Sequence, residues 1–150
     1  MIIDPVTLIV ALITVSTPVL LAAIGELVVE KSGVLNLGVE GMMIVGAVCG
    51  FIMAHHTGSP ALGFAAGMGG AAALALVFAI LTQILMANQV ASGLALTLFG
   101  LGLAALLGVG YSGLPVPPVS RPFPEILQDI PVAGPILFSH AGVLPPYAKM

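Results

Sequence analysis

Residues 61–87 read ALGFAAGMGGAAALALVFAILTQILMA, a stretch without a single Asp, Glu, Lys or Arg. A helix needs about 20 predominantly apolar residues to cross the hydrocarbon core of a bilayer, so this stretch predicts one crossing with some tilt. Outward from it, the charge-free run extends from Gly41 to Ser120. That is room for three crossings joined by short turns. The spacing predicts spans over about Met42–Ala54, Ala61–Ala87 and Val90–Gly110, with turns at His55–Pro60 and at Asn88-Gln89. The span at Met42–Ala54 is short and is expected to recruit part of the chain before it.

A fourth apolar run, from Val6 to Gly25, precedes these. It is longer than the ~7–15-residue apolar region of a signal peptide and has no basic residue before it. Its first charge is Asp4, and it reads as a retained membrane helix. Pro18 inside it predicts a kink near Thr14–Pro18, where Ser16 and Thr17 are placed to satisfy freed carbonyls.

Composition agrees. Charged residues make up 6% and hydrophobic residues 59% of the 150, against about 25% charged in soluble domains. A water-facing surface cannot be built from so few charges. The expected class is all-α, a polytopic integral membrane helix bundle with about four transmembrane helices and a broken segment after the first. Residues 1–110 are read as the bundle and 111–150 as a Pro-rich extramembrane segment, because nine of the twelve prolines fall from Pro115 to Pro146. No basic patch exists, which disfavours nucleic-acid binding. Lys31, Arg121 and Lys149 are the only Lys or Arg residues, too few to set orientation by the positive-inside rule.

Nothing in the chain points to covalent chemistry. Gly108, Gly110 and Gly113 fit G-x-G-x-x-G, but a dinucleotide motif follows a strand and opens a helix. Here it closes a membrane span and precedes Pro115. His55 and His56 are adjacent, point to different faces, and have no Cys, Asp or Glu nearby for metal ligation. Ser139-His140 lacks an acid placed to orient it. Cys49 is the single cysteine and reads as a small buried residue. No catalytic residue, metal or cofactor is expected, and the chain reads as a non-enzyme.

Residues 25–41, GELVVEKSGVLNLGVEG, break this texture. They hold Glu26, Glu30, Lys31 and Glu40, interleaved with Leu and Val and punctuated by Gly33, Gly38 and Gly41. The pattern predicts a broken segment that stays partly buried in protein or dips into the membrane. Irregular backbone is tolerated at that depth only where protein or water covers it. On a helix, Glu26 and Glu30 would share a face and repel. At the membrane boundary they cost little; deeper, they mark a pathway or a buried pair with Lys31. The sequence leaves both placements open. Gly46/Gly50 and Gly63/Gly67 form two GxxxG pairs, which predict close helix approach in lipid.

The run from Gly25 to Met43 closely resembles the ABC transporter permeases of the nucleoside and simple-sugar importer group. These share G-E-…-E-[KR]-[SA]-G-V-L-N-[LI]-G-[VL]-E-G-M-M soon after the first helix, and ribose permeases look like more distant relatives. Residues 88–97, NQVASGLALT, are similar to that group's N-[EQ]-V-[VI]-[SN]-G-L-A-L-[NT]. Residues 131–139, PVAGPILFS, are similar to the external loop before its next helix. The resemblance covers essentially the whole chain, as the N-terminal half of a permease.

It implies the membrane channel of an ATP-driven importer in the bacterial plasma (inner) membrane, carrying nucleosides or simple sugars. The implied partners are a cytoplasmic ATP-binding subunit that hydrolyses the ATP, a second permease subunit and an extracytoplasmic solute-binding protein. The Pro-rich tail would be external and, with four crossings, the N-terminus also. Glu26, Glu30, Asn36 and Glu40 are implied as substrate-pathway or gating residues. The group's later cytoplasmic loop, of T-R-F-G and A-V-G-E-N-P type, is the expected ATPase contact and is not among these 150 residues. Two other readings are carried: half of an ion-coupled secondary transporter built on broken helices, and a truncated membrane remnant that transports nothing.

Overall fold

A computed structural model of the chain describes residues 5–115. Its regular elements are helices alone: α1 (Pro5–Lys31), α2 (Val39–Thr57), α3 (Pro60–Ala79) and α4 (Gln89–Gly108). A π-helical turn, Ile80–Ile84, continues α3. Among the described residues four helices are long and apolar enough to cross a membrane, α3 counted with its π turn, and the fold is all-α as expected. The readings that fall on residues 116–150, namely the Pro-rich extramembrane tail, PVAGPILFS and Ser139-His140, lie outside the described residues.

The helix boundaries follow local chemistry. α1 does not stop at Gly25 as the apolar run suggested. One interior glycine costs a helix only about 1 kcal/mol, and a Cβ at Gly25 would meet nothing within 4 Å. The helix ends where Ser32 turns its hydroxyl back to the Val29 carbonyl, 2.6 Å, and Gly33 adopts φ +86, a backbone that glycine takes without steric cost. The irregular stretch is therefore only Ser32–Gly38, and Glu26 and Glu30 are helical.

Likewise, His55 and His56 sit in the last turn of α2 rather than in a loop. Left-handed Gly58 caps that helix with its N–H on the Ala54 carbonyl, 2.9 Å. Ser59 then caps α3, with Pro60 in its first turn, and the Asn88 side chain caps α4 on the Ala91 N–H, 3.0 Å. In α1, the Thr17 hydroxyl donates to the Ile13 carbonyl, 2.7 Å. The carbonyl deprived by Pro18 belongs to Thr14, so Thr17 does not fill that gap.

The chain divides into two units, with the boundary inside α1 after Ala23. In the part of α1 before it, Leu12, Val15, Leu20 and Leu21 are all exposed. The unit that starts at Ile24 contains the end of α1 and the other three helices. There α2 packs on both α3 and α4. With α3 the approach is backbone to backbone: a Cβ at Gly46 would lie 3.0 Å from the Gly67 carbonyl, and one at Gly50 3.0 Å from the Gly63 carbonyl. The two GxxxG pairs thus face each other in antiparallel register. Met42, Val45, Leu74, Phe78, Leu96 and Ala104 form the buried core. Large apolar side chains such as Phe64, Leu76, Leu98 and Leu106 point outward. Hydrocarbon is as apolar as they are, so this exposure carries no cost in lipid.

Candidate solute path along the broken segment

Ser32 and Gly33 reverse the chain, and the Val34 N–H returns to the Val29 carbonyl of α1, 3.3 Å. From there the segment climbs between the end of α1 and the start of α4. Successive residues turn to opposite sides, as in an extended chain. The Leu35 N–H donates to Gln89 Oε1 of α4, 2.7 Å. The Asn36 N–H donates to Glu26 Oε1 of α1, 3.0 Å. The Leu37 carbonyl accepts the Thr97 hydroxyl of α4, 2.9 Å.

Asn36 is buried. Its Oδ1 accepts the Gly38 N–H at 2.9 Å, a local turn that feeds the chain into α2, and its Nδ2 faces Met42 Sδ at 3.7 Å. Side chains of the protein therefore satisfy this irregular backbone, which a lipid environment requires.

Glycines let the segment and α2 come close to α4. A Cβ at Gly93 would lie 2.8 Å from the Leu37 nitrogen; one at Gly41 would lie 2.8 Å from the Leu96 carbonyl oxygen; one at Gly100 would lie 2.8 Å from Gly41 Cα. These contacts act as a ruler. Leu35 is level with Gln89, the first residue of α4, and Gly41 is level with Leu96 to Gly100. At 1.5 Å per residue, the first turn of α2 starts about 10–16 Å along α4. The register with α3 agrees: Gly46 opposite Gly67 and Gly50 opposite Gly63 put the same turn about 15 Å short of the end of the π turn. α2 thus begins about 10–16 Å in from the Gln89 end of α4, and the broken segment covers that distance.

This depth separates the acidic residues. Glu30 and Lys31 are exposed on the last turn of α1, at the end of the bundle where the chain reverses. Glu26, one turn inward, is half-buried and holds Asn36. Glu40 is exposed in the first turn of α2, inward of Leu35 and nearer the Gln89 end of α4 than the Tyr111 end. A carboxylate facing hydrocarbon there would cost about 3 kcal/mol or more. Its position at the positive end of α2 offsets about 0.3–1 kcal/mol of this. Glu40, Met43 and Ala47 share one exposed face of α2, and a carboxylate on it favours water or further protein over hydrocarbon.

A family described as "Branched-chain amino acid transport system / permease component" matches residues 8–138. The chain belongs to this permease family. Among curated relatives, the putative glucose ABC transporter permease protein TsgC13 of Haloferax volcanii is 50% identical over 101 residues, 67% of this chain and 31% of that protein. The guanosine ABC transporter permease protein NupQ of Bacillus subtilis is 33% identical over 149 residues, 92% of this chain and 45% of that protein. The chain spans less than half the length of these relatives. No solved structure matches it. The family is one of membrane permeases and not of enzymes, in line with the non-enzymatic reading of the sequence.

Within this permease chain, the structure brings two of the four candidate residues, Glu26 and Asn36, into contact. It leaves Glu30 and Glu40 exposed at different depths. Gln89 and Thr97 hold the same segment and were not singled out from the sequence. A signal for them exists: Gln89, Gly93 and Thr97 recur at i, i+4 and i+8 and share one face of α4, a polar–small–polar stripe.

The other end of α2 carries a second polar tie. His56 Nε2 and the Tyr111 hydroxyl are 2.7 Å apart. His55 Nδ1 donates to the Pro115 carbonyl at 3.1 Å, and its ring stacks on Phe51. Tyr111 belongs to the turn after α4, so the G-x-G-x-x-G glycines close a helix here instead of opening one.

Proposed function

We propose that this chain supplies the N-terminal half of the membrane-spanning permease component of an ATP-driven ABC importer for nucleosides or simple sugars. The observation that carries the reading is Glu40: an exposed carboxylate in the first turn of α2, beside a broken segment whose backbone is satisfied by protein. Broken helices near the bilayer midplane are where transporters place their solute sites. The α2 face of Glu40, Met43 and Ala47 lines the path. Glu26 and Asn36 hold the gating segment, and Glu30 stands at its mouth. The names of the relatives, a glucose and a guanosine ABC transporter permease, support the solute class.

In this reading a cytoplasmic ATP-binding subunit, a second permease subunit and an extracytoplasmic solute-binding protein complete the machine. Its place is the bacterial inner membrane, with residues 111–150 on the external side and Lys31 at the cytoplasmic end.

The test is uptake of labelled guanosine and of labelled glucose into vesicles that carry the assembled transporter. ATP-dependent, vanadate-sensitive uptake is expected, and Glu40→Gln should impair it while membrane insertion stays intact. Uptake driven by an ion gradient without ATP would favour an ion-coupled transporter. Insertion with no flux under either condition would make the chain a non-transporting remnant. Normal uptake by Glu40→Gln would remove Glu40 from the path.

A further inference from the structure

We propose that Glu40 acts as a charge filter, so that this half of the path passes uncharged or cationic solutes and turns back anionic ones. The inference rests on the reading that the Glu40–Met43–Ala47 face lines the path. Three observations carry it further. Glu40 is exposed in the first turn of α2, so its charge projects into whatever that face meets rather than into a buried pair. From Gly41 to Ser120 there is no Lys or Arg, and Lys31 is held at the end of α1, where the chain reverses. α2, α3 and α4 therefore offer no Lys or Arg to compensate a phosphate, and the α2 histidines, His55 and His56, lie at its far end.

The third observation concerns the amide end of α2, the fixed positive pole beside Glu40. It already carries Glu40 in its own first turn, and the Gly38 N–H beside it is taken by Asn36 Oδ1. What remains for a solute is a carboxylate that accepts hydrogen bonds. Hydroxyl and amino groups can donate to it, whereas a molecule with net negative charge meets like charge.

Thiol labelling in membranes that hold the assembled transporter tests this without knowledge of the solute. Cys49, the chain's only cysteine, is replaced in a Cys49→Ala background. Met43→Cys or Ala47→Cys is then introduced, at two exposed positions of the same face. Each is treated with a cationic trimethylammonium and an anionic sulfonate methanethiosulfonate of similar size, with rates taken relative to a free thiol in solution.

Residues three apart on a helix have Cβ atoms about 5–6 Å apart. One carboxylate at that distance is expected to favour the cationic reagent about tenfold at position 43, less at position 47. Glu40→Gln should bring both ratios close to one. Labelling by both reagents with a ratio that Glu40→Gln does not move would leave a water-lined path and overturn the filter. No labelling at either position by either reagent would overturn the path reading itself, and the filter with it.

Discussion

The two contacts that α2 makes are built from different materials. Against α3 two regular helices meet through glycine backbones, Gly46 on Gly67 and Gly50 on Gly63, and no side-chain hydrogen bond is needed because each helix satisfies its own amides. Against α4 glycines again set the distance, but the chain before α2 is irregular. Gln89, Glu26, Asn36 and Thr97 each carry one of its backbone groups. A small-residue contact is sufficient where the backbone is already paired. An irregular one inside a membrane also needs a polar partner for each turn of chain.

The largest expected effect breaks the second contact at its tightest point. A Cβ at Gly100 lies within 2.9 Å of three backbone atoms of Gly41, which cannot rotate away. Gly100→Val should cost about 3 kcal/mol or more, read as a large fall in the unfolding midpoint of the detergent-solubilised protein. A parent-like melt would refute the α2–α4 register on which the depth of Glu40 depends. Next comes the polar tie. Glu26→Ala strands the Asn36 N–H and should cost about 1–3 kcal/mol, whereas Glu26→Gln keeps an acceptor and should cost less than about 1 kcal/mol. If both variants melt alike, the charge of Glu26 holds the segment and not its acceptor oxygen.

The α2–α3 contact should be more forgiving. A Cβ at Gly46 would sit 3.0 Å from the Gly67 carbonyl and 3.3 Å from Ala71 Cβ, so two straight helices need part by only a few tenths of an ångström. Gly46→Ala is expected to cost about 1 kcal/mol in the same assay. A loss as large as that of Gly100→Val would erase the distinction between the two contacts. At the small end, Gly69 has nothing within 4 Å of its Cβ direction. Gly69→Ala should leave the midpoint unchanged or raise stability by about 0.5 kcal/mol; destabilisation would place a partner on that face of α3.

Much of the fold was legible because lipid restricts the choices so strongly. The apolar, charge-free stretch from Gly41 to Gly110 reads as membrane helices joined by turns, and the turn chemistry at Gly58-Ser59-Pro60 and Asn88 marked their ends within a few residues. The break near Gly33 and Gly38 was also legible, because glycines interrupt an amphipathic stretch there. Its extent was less so. Glu26–Lys31 has good helical propensity, and only the placement of Ser32 and Gly33 shows that the helix persists to Lys31. For the candidate site, sequence singled out Glu26, Glu30, Asn36 and Glu40 as one group. It did not separate their depths, and it passed over Gln89 and Thr97, which lie more than fifty residues along the chain from the segment they hold.

By itself, then, the sequence determined the solvent, the number of membrane-capable helices, the place of the break and the resemblance to permeases, because hydropathy, charge and glycine spacing are local properties of the chain. Helix packing sets the rest: Glu26 faces inward to Asn36, Glu30 stands at the edge, and Glu40 is exposed in the first turn of α2. Depth is set by which residues of α2, α3 and α4 lie side by side. That register comes from glycine-to-backbone contacts between helices, whose partners no local pattern names.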